Sequence, residues 1–301
     1  MRALPRDWES TFSGWTGAAG SVEDDKAQRV LQRVRNAIAN SRELQAVDVS
    51  VYPKGSYPNR TNVVQDSDMD VAVELTSIIH HEFWNEAEGL TIQDLGLRPY
   101  TGTYRVSQFK DHVEAALVAE FDRSLVERGN KALRVKATSS TLAADVVACQ
   151  TVEVHFSRYS SATGIKIWPD RGLPIINFPN QHLQQGLRKN QLTYRRYKRT
   201  VRILKRLENQ MVRERVIEVV PSFLIESLVW NVPEQVFTVR SSWTDIVRGV
   251  LVLNYEATKD DESAKSQLEA NAIKFLFHLT RAWTRPQAHN WTLAAWRYLG
   301  F

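Results

Sequence analysis

Two aspartates one residue apart, Asp68 and Asp70, open the run Asp68-Met69-Asp70-Val71-Ala72-Val73-Glu74-Leu75. In a strand, successive side chains point to opposite faces. Asp68 and Asp70 then share one face, while Met69, Val71, Val73 and Leu75 share the other and can pack on a core. Carboxylates about 7 Å apart at their Cα atoms repel unless a cation lies between them. Hard divalent ions take oxygen ligands, so the chemistry this pair suggests is the binding of a pair of hard metal ions. An isolated Asp-x-Asp is most often an exposed strand face, acidic by chance. This one follows Gly55-Ser56 with eleven residues between. A glycine turn opening a short helix offers backbone N–H groups and a hydroxyl, a natural phosphate cradle. A third acid, Asp145, interrupts the apolar run Leu142 to Cys149. A carboxylate in such surroundings needs a partner or a metal; its structural alternative is a hydrogen-bonded strand end.

The elements that must position these residues follow from periodicity. Ala27, Val30, Leu31, Val34, Ala37 and Ile38 recur at helical spacing between Glu23 and Asn40. Val47 to Tyr52 alternates as a strand, Ser56 onward starts a short helix with Pro58, and Met69 to Leu75 is the acid-bearing strand. A helix is expected over Gln108 to Arg128, then strands over Ala132 to Ala137 and Thr141 to Phe156. Residues 157–190 carry several glycines and prolines and read as loop, the best place for a lobe boundary. Beyond it the chain reads as helix: Leu192 to Met211, Ser222 to Trp230, Arg240 to Tyr255 and Ala264 to Trp283, the last with the seam Ala272, Leu276, Leu279 and Trp283. The expected architecture is α/β (α+β), a mixed sheet with helices in a first lobe, residues 1–175, and a helical second lobe, 176–301.

Bulk properties set the frame. The 301 residues are 43% hydrophobic and 24% charged, ordinary for a globular protein with a sizeable core. A net charge of +5 suits polyanionic partners such as nucleoside triphosphates or nucleic acid, and equally suits mere solubility. The single cysteine, Cys149, cannot form an internal disulfide. Residues 1–15 lack the apolar run of a signal peptide, and no stretch reaches membrane-spanning length, so a cytoplasmic location is expected. His80-His81-Glu82 invites a metal reading, but adjacent histidines on an extended segment point apart, and His155 and His182 lack partners at zinc spacing. Trp283, Trp291 and Trp296 read as packing residues.

The order of motifs resembles a known family. The Gly-Ser turn, the Asp-x-Asp and the later strand aspartate are similar to the nucleotidyltransferase core of DNA polymerase β. Asn177-Phe178-Pro179 with Gln181-His182, then Lys189-Asn190, Arg196 to Lys205, Pro221 to Leu228 and the closing Ala295 to Phe301 resemble the bacterial cyclic-oligonucleotide synthases related to cyclic GMP-AMP synthase, the CD-NTases. The resemblance covers residues 45 to 301. After Gly55-Ser56-Tyr57, many relatives carry a small residue and glycine before the threonine, where this chain has Pro58-Asn59-Arg60-Thr61.

The resemblance implies roles. Asp68, Asp70 and Asp145 would hold two Mg²⁺ ions, with Mn²⁺ as a substitute, and Asp145 would also help activate the acceptor hydroxyl. Gly55 and Ser56 would bind donor phosphate, Lys205 the triphosphate, Ser222 a further phosphate oxygen, and Phe223 would stack on a base. Arg195, Lys198, Arg202 and Lys205 recur at three- and four-residue steps, a basic stripe that could also be a solvated helix face. Phe223 could equally be core. Base-reading hydroxyls are expected among Ser160, Ser161 and Thr163. The implied activity joins NTPs into a cyclic di- or oligonucleotide messenger for a separate effector in antiphage defence. A monomer without a nucleic-acid or membrane requirement is expected. The competing readings are a linear oligonucleotide synthase, an RNA-end nucleotidyltransferase, and a nucleic-acid sensor with a vestigial site.

Overall fold

The computed structural model describes residues 7–18, 20–63, 68–278 and 281–301. In chain order the elements begin with α1 (Trp8–Trp15), α2 (Ser21–Asn40), β1 (Val49–Pro53), α3 (Ser56–Asn59), β2 (Met69–Phe83), α4 (Phe109–Phe121), β3 (Val126–Arg128) and β4 (Leu133–Val135). They continue with β5 (Ala144–Ser157), β6 (Ser160–Ile167), β7 (Ile175–Asn177), α5 (Pro179–Leu192), α6 (Arg196–Arg213) and α7 (Ser222–Asn231). The chain closes with α8 (Gln235–Thr238), α9 (Trp243–Thr258), α10 (Asp261–Ala264) and α11 (Arg285–Leu299).

Contacts group these elements into two units. The sheet unit takes the described residues of Gly20–Pro58 and Ser67–Pro179; the helical unit takes those of Met1–Ala19, Asn59–Asp66 and Asn180–Phe301. This grouping differs from a single cut after residue 175. Helix α1 joins the helical unit because Phe12 is fully buried in that unit's core. The α1 residue Glu9 also accepts hydrogen bonds from the backbone N–H groups of Trp243 and Thr244 at the start of α9.

In the sheet unit the strand order is β1-β2-β5-β4-β3, with β6 beside β5 and β7 beside β6. Strands β2 and β5 are parallel and the other pairs antiparallel. One edge of β5 runs along β2; its other edge pairs with β4 at residues 144–146 and with β6 from Cys149 onward. Met69, Val71, Val73 and Leu75 are buried against α2 and α4, as the alternation requires. Those two helices contribute Val30, Leu31, Val34, Val113 and Leu117 to the same core.

Several expected elements are corrected. The helix over 108–128 stops at Phe121, where Asp122 takes φ +80° and the chain turns into β3. Most of residues 157–190 is not loop but β6, β7 and α5; only 168–174, with Pro169, Gly172 and Pro174, joins β6 to β7 without regular structure. Gly164 lies within β6, where a Cβ would come within 2.7 Å of the Asn177 carbonyl oxygen. That glycine marks close backbone approach rather than a turn. Pro179 opens α5, where its missing N–H costs nothing. Residues 265–278 are irregular rather than helical: Ala272 has φ +60°, and the Asn271 side chain accepts from the N–H groups of Ile273 and Lys274. Leu279, part of the expected seam, lies outside the described residues.

The helical unit packs α6, α7, α9 and α11 around one core that includes Tyr197, Leu204, Ile225, Leu228, Val250 and Trp291. Trp283 and Trp291 are buried there and Trp296 packs against it, so all three serve packing. Helix α11 begins with a reciprocal capping box between Thr284 and Gln287 and ends on Gly300 at φ +74°.

Candidate active site

The parallel register of β2 and β5 sets Asp70 directly beside Asp145. Neighbouring residues in register share a face, and Asp68 joins them by alternation. Arg134 on β4 is the register partner of Asp145 on the other side, and its Nη2 donates to Asp68 Oδ2 at 2.8 Å. Lys54 Nζ donates to Asp70 Oδ1 at 3.1 Å. Three carboxylates therefore share a sheet end with two cations. Burial first, then the charges of Asp70 and Asp68, push the Asp145 carboxyl above its ordinary range; Arg134 and Lys54 offset this only in part.

The Gly55 turn is fitted to this end. Gly55 has φ +73°, and a Cβ there would lie 2.6 Å from Asp70 Oδ2, so any side chain would displace the acid. Ser56 starts α3 at once. Val64 to Ser67, which complete the spacing to Asp68, lie outside the described residues.

Further along the same face the sheet becomes apolar, with Ala72, Val147, Cys149, Ile165 and Ile167 clustered. A fourth acid on it, Glu74, is occupied: Tyr52 and Thr151 donate to its two oxygens, each at 2.6 Å. Of the expected base-reading hydroxyls, Ser161 and Thr163 both donate to Glu153 on β5. At the far end of β2, His81 Nδ1 and His155 Nε2 stand 3.0 Å apart, and His80 faces Glu82 and Lys166.

The helical unit carries Lys205, Ser222 and Phe223. Lys205 is buried on α6, with Nζ 3.9 Å from Glu226 Oε2 of α7. Ser222 is the first residue of α7 and half-buried. Phe223 meets His182 and Trp283 edge-on, with ring centroids 5.0 and 6.2 Å away. Its ring is thus placed by packing. Lys198 and Arg202 are buried rather than solvated, while Arg195 is exposed. Arg202 donates to the carbonyls of Thr16 and Arg60, a structural use of that cation.

Sequence reasoning missed Lys54, Arg134, Thr61, His182 and Glu226. Glu226 carried the same signal as Asp145, a lone acid inside an apolar run. Lys54 immediately precedes the glycine turn. Arg134 could not be found without the strand register.

A metal ion fits this donor set chemically. The acids present only hard oxygen donors, their charges oppose one another, and the nearby cations compensate them incompletely. Among the described residues no three His, Cys, Asp or Glu side chains already converge as ligands, since Asp68 and Asp70 turn toward Arg134 and Lys54.

Paired acids on adjoining strands of a mixed sheet, with a Gly-Ser turn against one of them, are a donor set suited to nucleotidyl transfer. Residues 184–300 match the family model for the cGAS/DncV-like nucleotidyltransferase C-terminal helical domain. The chain is 35% identical over 297 residues to the cyclic dipyrimidine nucleotide synthase CdnE of Legionella pneumophila, covering 97% of this chain and 98% of that protein. It is 33% identical over 297 residues to a cyclic dipurine nucleotide synthase of Elizabethkingia meningoseptica, with the same coverage. The fold matches the E. meningoseptica CdnE cyclic dinucleotide synthase solved with GTP and Apcpp, at TM-score 0.79 and 32% identity over 97% of this chain and 99% of that one. It also matches the Rhodothermus marinus CdnE c-UMP-AMP synthase solved with Apcpp and Upnpp, at TM-score 0.83 and 25% identity over 99% and 98% of the two chains. The chain belongs to the cGAS/DncV-like nucleotidyltransferases, the CD-NTase family of cyclic nucleotide synthases. Among the described residues no helix is long and apolar enough to cross a membrane.

Proposed function

We propose that this chain joins two nucleoside triphosphates into a cyclic dinucleotide, releasing two pyrophosphates, at a site built on Asp68, Asp70 and Asp145. The observation that carries this reading is the β2–β5 register, which pairs Asp70 with Asp145 on the face that Asp68 shares. Two Mg²⁺ ions, or Mn²⁺ in their place, held by the three acids would stabilise the entering and leaving oxygens of an in-line displacement. Asp68 and Asp70 exchange their contacts with Arg134 and Lys54 for this task. Asp145 receives the proton of the attacking ribose hydroxyl. Gly55 lets the backbone run close to Asp70, and Ser56 offers its hydroxyl to donor phosphate. On the helical lobe, Lys205 and Ser222 bind the triphosphate and Phe223 supports a base.

A ribose hydroxyl of one nucleotide attacks the α-phosphorus of the other, forming a phosphodiester as the first pyrophosphate leaves. The joined nucleotide then repeats the attack in the opposite sense and closes the ring. Overall identity does not choose the bases, since a dipyrimidine and a dipurine synthase stand at 35% and 33%. The product serves as a messenger to a separate effector in antiphage defence; the enzyme works as a monomer and needs no nucleic acid. Incubation with all four NTPs and Mg²⁺ or Mn²⁺, then mass spectrometry after phosphatase treatment, tests this. A phosphatase-resistant cyclic product is expected. A phosphatase-sensitive ladder would instead establish a linear synthase, and salt-sensitive nucleic-acid binding without turnover would establish a sensor.

A further inference from the structure

The least economical group in the helical unit is Glu226, a carboxylate only 2% exposed on α7. Its Oε2 accepts from Thr61 Oγ1 at 2.8 Å and faces Lys205 Nζ at 3.9 Å; its Oε1 accepts from His182 Nε2 at 2.8 Å. Three separate chain segments thus converge on one buried charge. Lys205 is equally buried, and Glu226 is the acid within ion-pair distance of it among the described residues. A buried pair at 3.9 Å returns little of its desolvation cost as stability. The same spacing is well suited to a ligand site. At 3.9 Å the carboxylate compensates the ammonium's charge without taking a direct hydrogen bond from it, so the N–H groups stay available to a phosphate oxygen.

We propose that Glu226 is a positioning residue for nucleotide binding: held by Thr61 and His182, it balances the Lys205 ammonium and keeps it aimed at the triphosphate. This rests on the reading of Lys205 as the triphosphate lysine. The network supports the role. Burial acts to raise the Glu226 carboxyl, but His182, Lys205 and Thr61 outweigh it and hold it down at about 2, so the counter-charge persists at every working pH. His182 can donate through Nε2 while its Nδ1 faces the Asn59 amide, 3.3 Å away. The edge contact of His182 with Phe223 carries the same anchoring to the aromatic ring. The other ionisable groups around the carboxylate are Lys198 and Tyr197 on α6, both sensing its charge.

The test is pyrophosphate release from NTP between pH 6 and 9, with E226Q read against the parent at each pH. Glutamine keeps the shape and the His182 bond but removes the charge. A buried ammonium without its counter-ion loses its proton more easily as pH rises. E226Q is therefore expected to raise KM by about tenfold with a smaller change in kcat. The variant-to-parent ratio of kcat/KM should fall as pH rises. Adding K205R should flatten that ratio, because a guanidinium keeps its charge. A pH-independent ratio for E226Q alone overturns the proposal. Should E226Q fail to fold, T61V, which removes one anchor and leaves the charge, is expected to raise KM several-fold, and an unchanged KM overturns the proposal. K205A separates the two levels. An unchanged KM in K205A removes the triphosphate role of Lys205 and this proposal with it; a raised KM together with a flat E226Q ratio removes only the role of Glu226.

Discussion

Asp145 and Glu226 are both acids set in apolar runs, yet their surroundings pull them in opposite directions. Asp145 lies beside Asp70 and shares a face with Asp68, and its carboxyl is pushed up by burial and by those like charges. Glu226 is more deeply buried, but Thr61, His182 and Lys205 surround it and its carboxyl is pulled down to about 2. The first environment leaves negative charge in excess and calls for added cations. The second is already balanced and calls for nothing further. Burial alone therefore does not distinguish a ligand-binding acid from a positioning one; the sign of the surrounding charge does.

The largest effect that can break this contrast is on catalysis. Replacing Asp68 and Asp70 together by alanine is expected to lower pyrophosphate release by at least about a thousandfold. The melting temperature should stay within a few degrees, because both side chains are substantially exposed. Surviving activity would place the metal site elsewhere. Lys205→Ala comes next, with an NTP KM expected to rise about 10- to 100-fold, the range for losing charge-assisted hydrogen bonds to phosphate. Initial-rate kinetics across NTP concentrations would show it, and a loss confined to kcat would contradict a binding role.

Stability gives smaller effects of opposite sign at the two acids. In metal-free protein, Asp145→Asn relieves like-charge repulsion, so its melting temperature at pH 7.5 should exceed the parent's by a few degrees. The raised carboxyl fixes the pH course: the parent recovers as pH falls through that raised value and Asp145 takes up a proton, so the gap closes in acid. Glu226→Gln should do the reverse. A depressed carboxyl contributes stability fully above the unfolded value of about 4.3, and that contribution is lost as pH falls toward 2. The parent should then be the more stable form at neutral pH, with the difference vanishing in strong acid. Thermal melts of both variants from pH 7.5 downward in chelator would check the pair, and gaps of the same sign would refute the electrostatic contrast.

The acid-bearing strand was legible in the sequence because period-two alternation and a glycine turn are local signals. Burial of Met69, Val71, Val73 and Leu75 followed from the same pattern. What lay hidden was non-local. Strand β6 was masked by Gly164, since a glycine required by the close passage of Asn177 and Phe178 looks locally like a turn, while Pro169 and Pro174 do mark the loop between β6 and β7. The irregular stretch after α10 imitated a helix through chance spacing of Ala272, Leu276 and Trp283, while the Asn271 side chain was already committed to turning the chain. Lys205 gained its role only through resemblance, and Glu226, a lone acid in an apolar helix, was not singled out. Neither the Arg134–Asp68 pair nor the three-segment anchoring of Glu226 has any short-range trace. A helical unit assembled from three stretches of chain cannot be read as one cut in a linear sequence.

The smallest effect tests how far the excess charge at the acids is already masked. Arg134 Nη2 lies 2.8 Å from Asp68 Oδ2, but the arginine side chain is 53% exposed and the aspartate 42%. A pair so open to water is worth no more than about 1 kcal/mol. An ion claiming Asp68 must displace that contact, so Arg134→Ala should lower the Mg²⁺ concentration for half-maximal activity by up to about fivefold, the factor that 1 kcal/mol allows. Lys54 offers the counter-case, because its side chain is only 15% exposed beside Asp70 and water screens it less. If Arg134→Ala instead raised the Mg²⁺ requirement, the guanidinium would be orienting Asp68 rather than competing for it. The acids would then resemble Glu226, an acid held in place by its partners, and the contrast between the two environments would narrow to the Asp70–Asp145 repulsion alone. A Mg²⁺ titration of pyrophosphate release for parent and variant, at fixed ionic strength to hold screening constant, distinguishes the two outcomes.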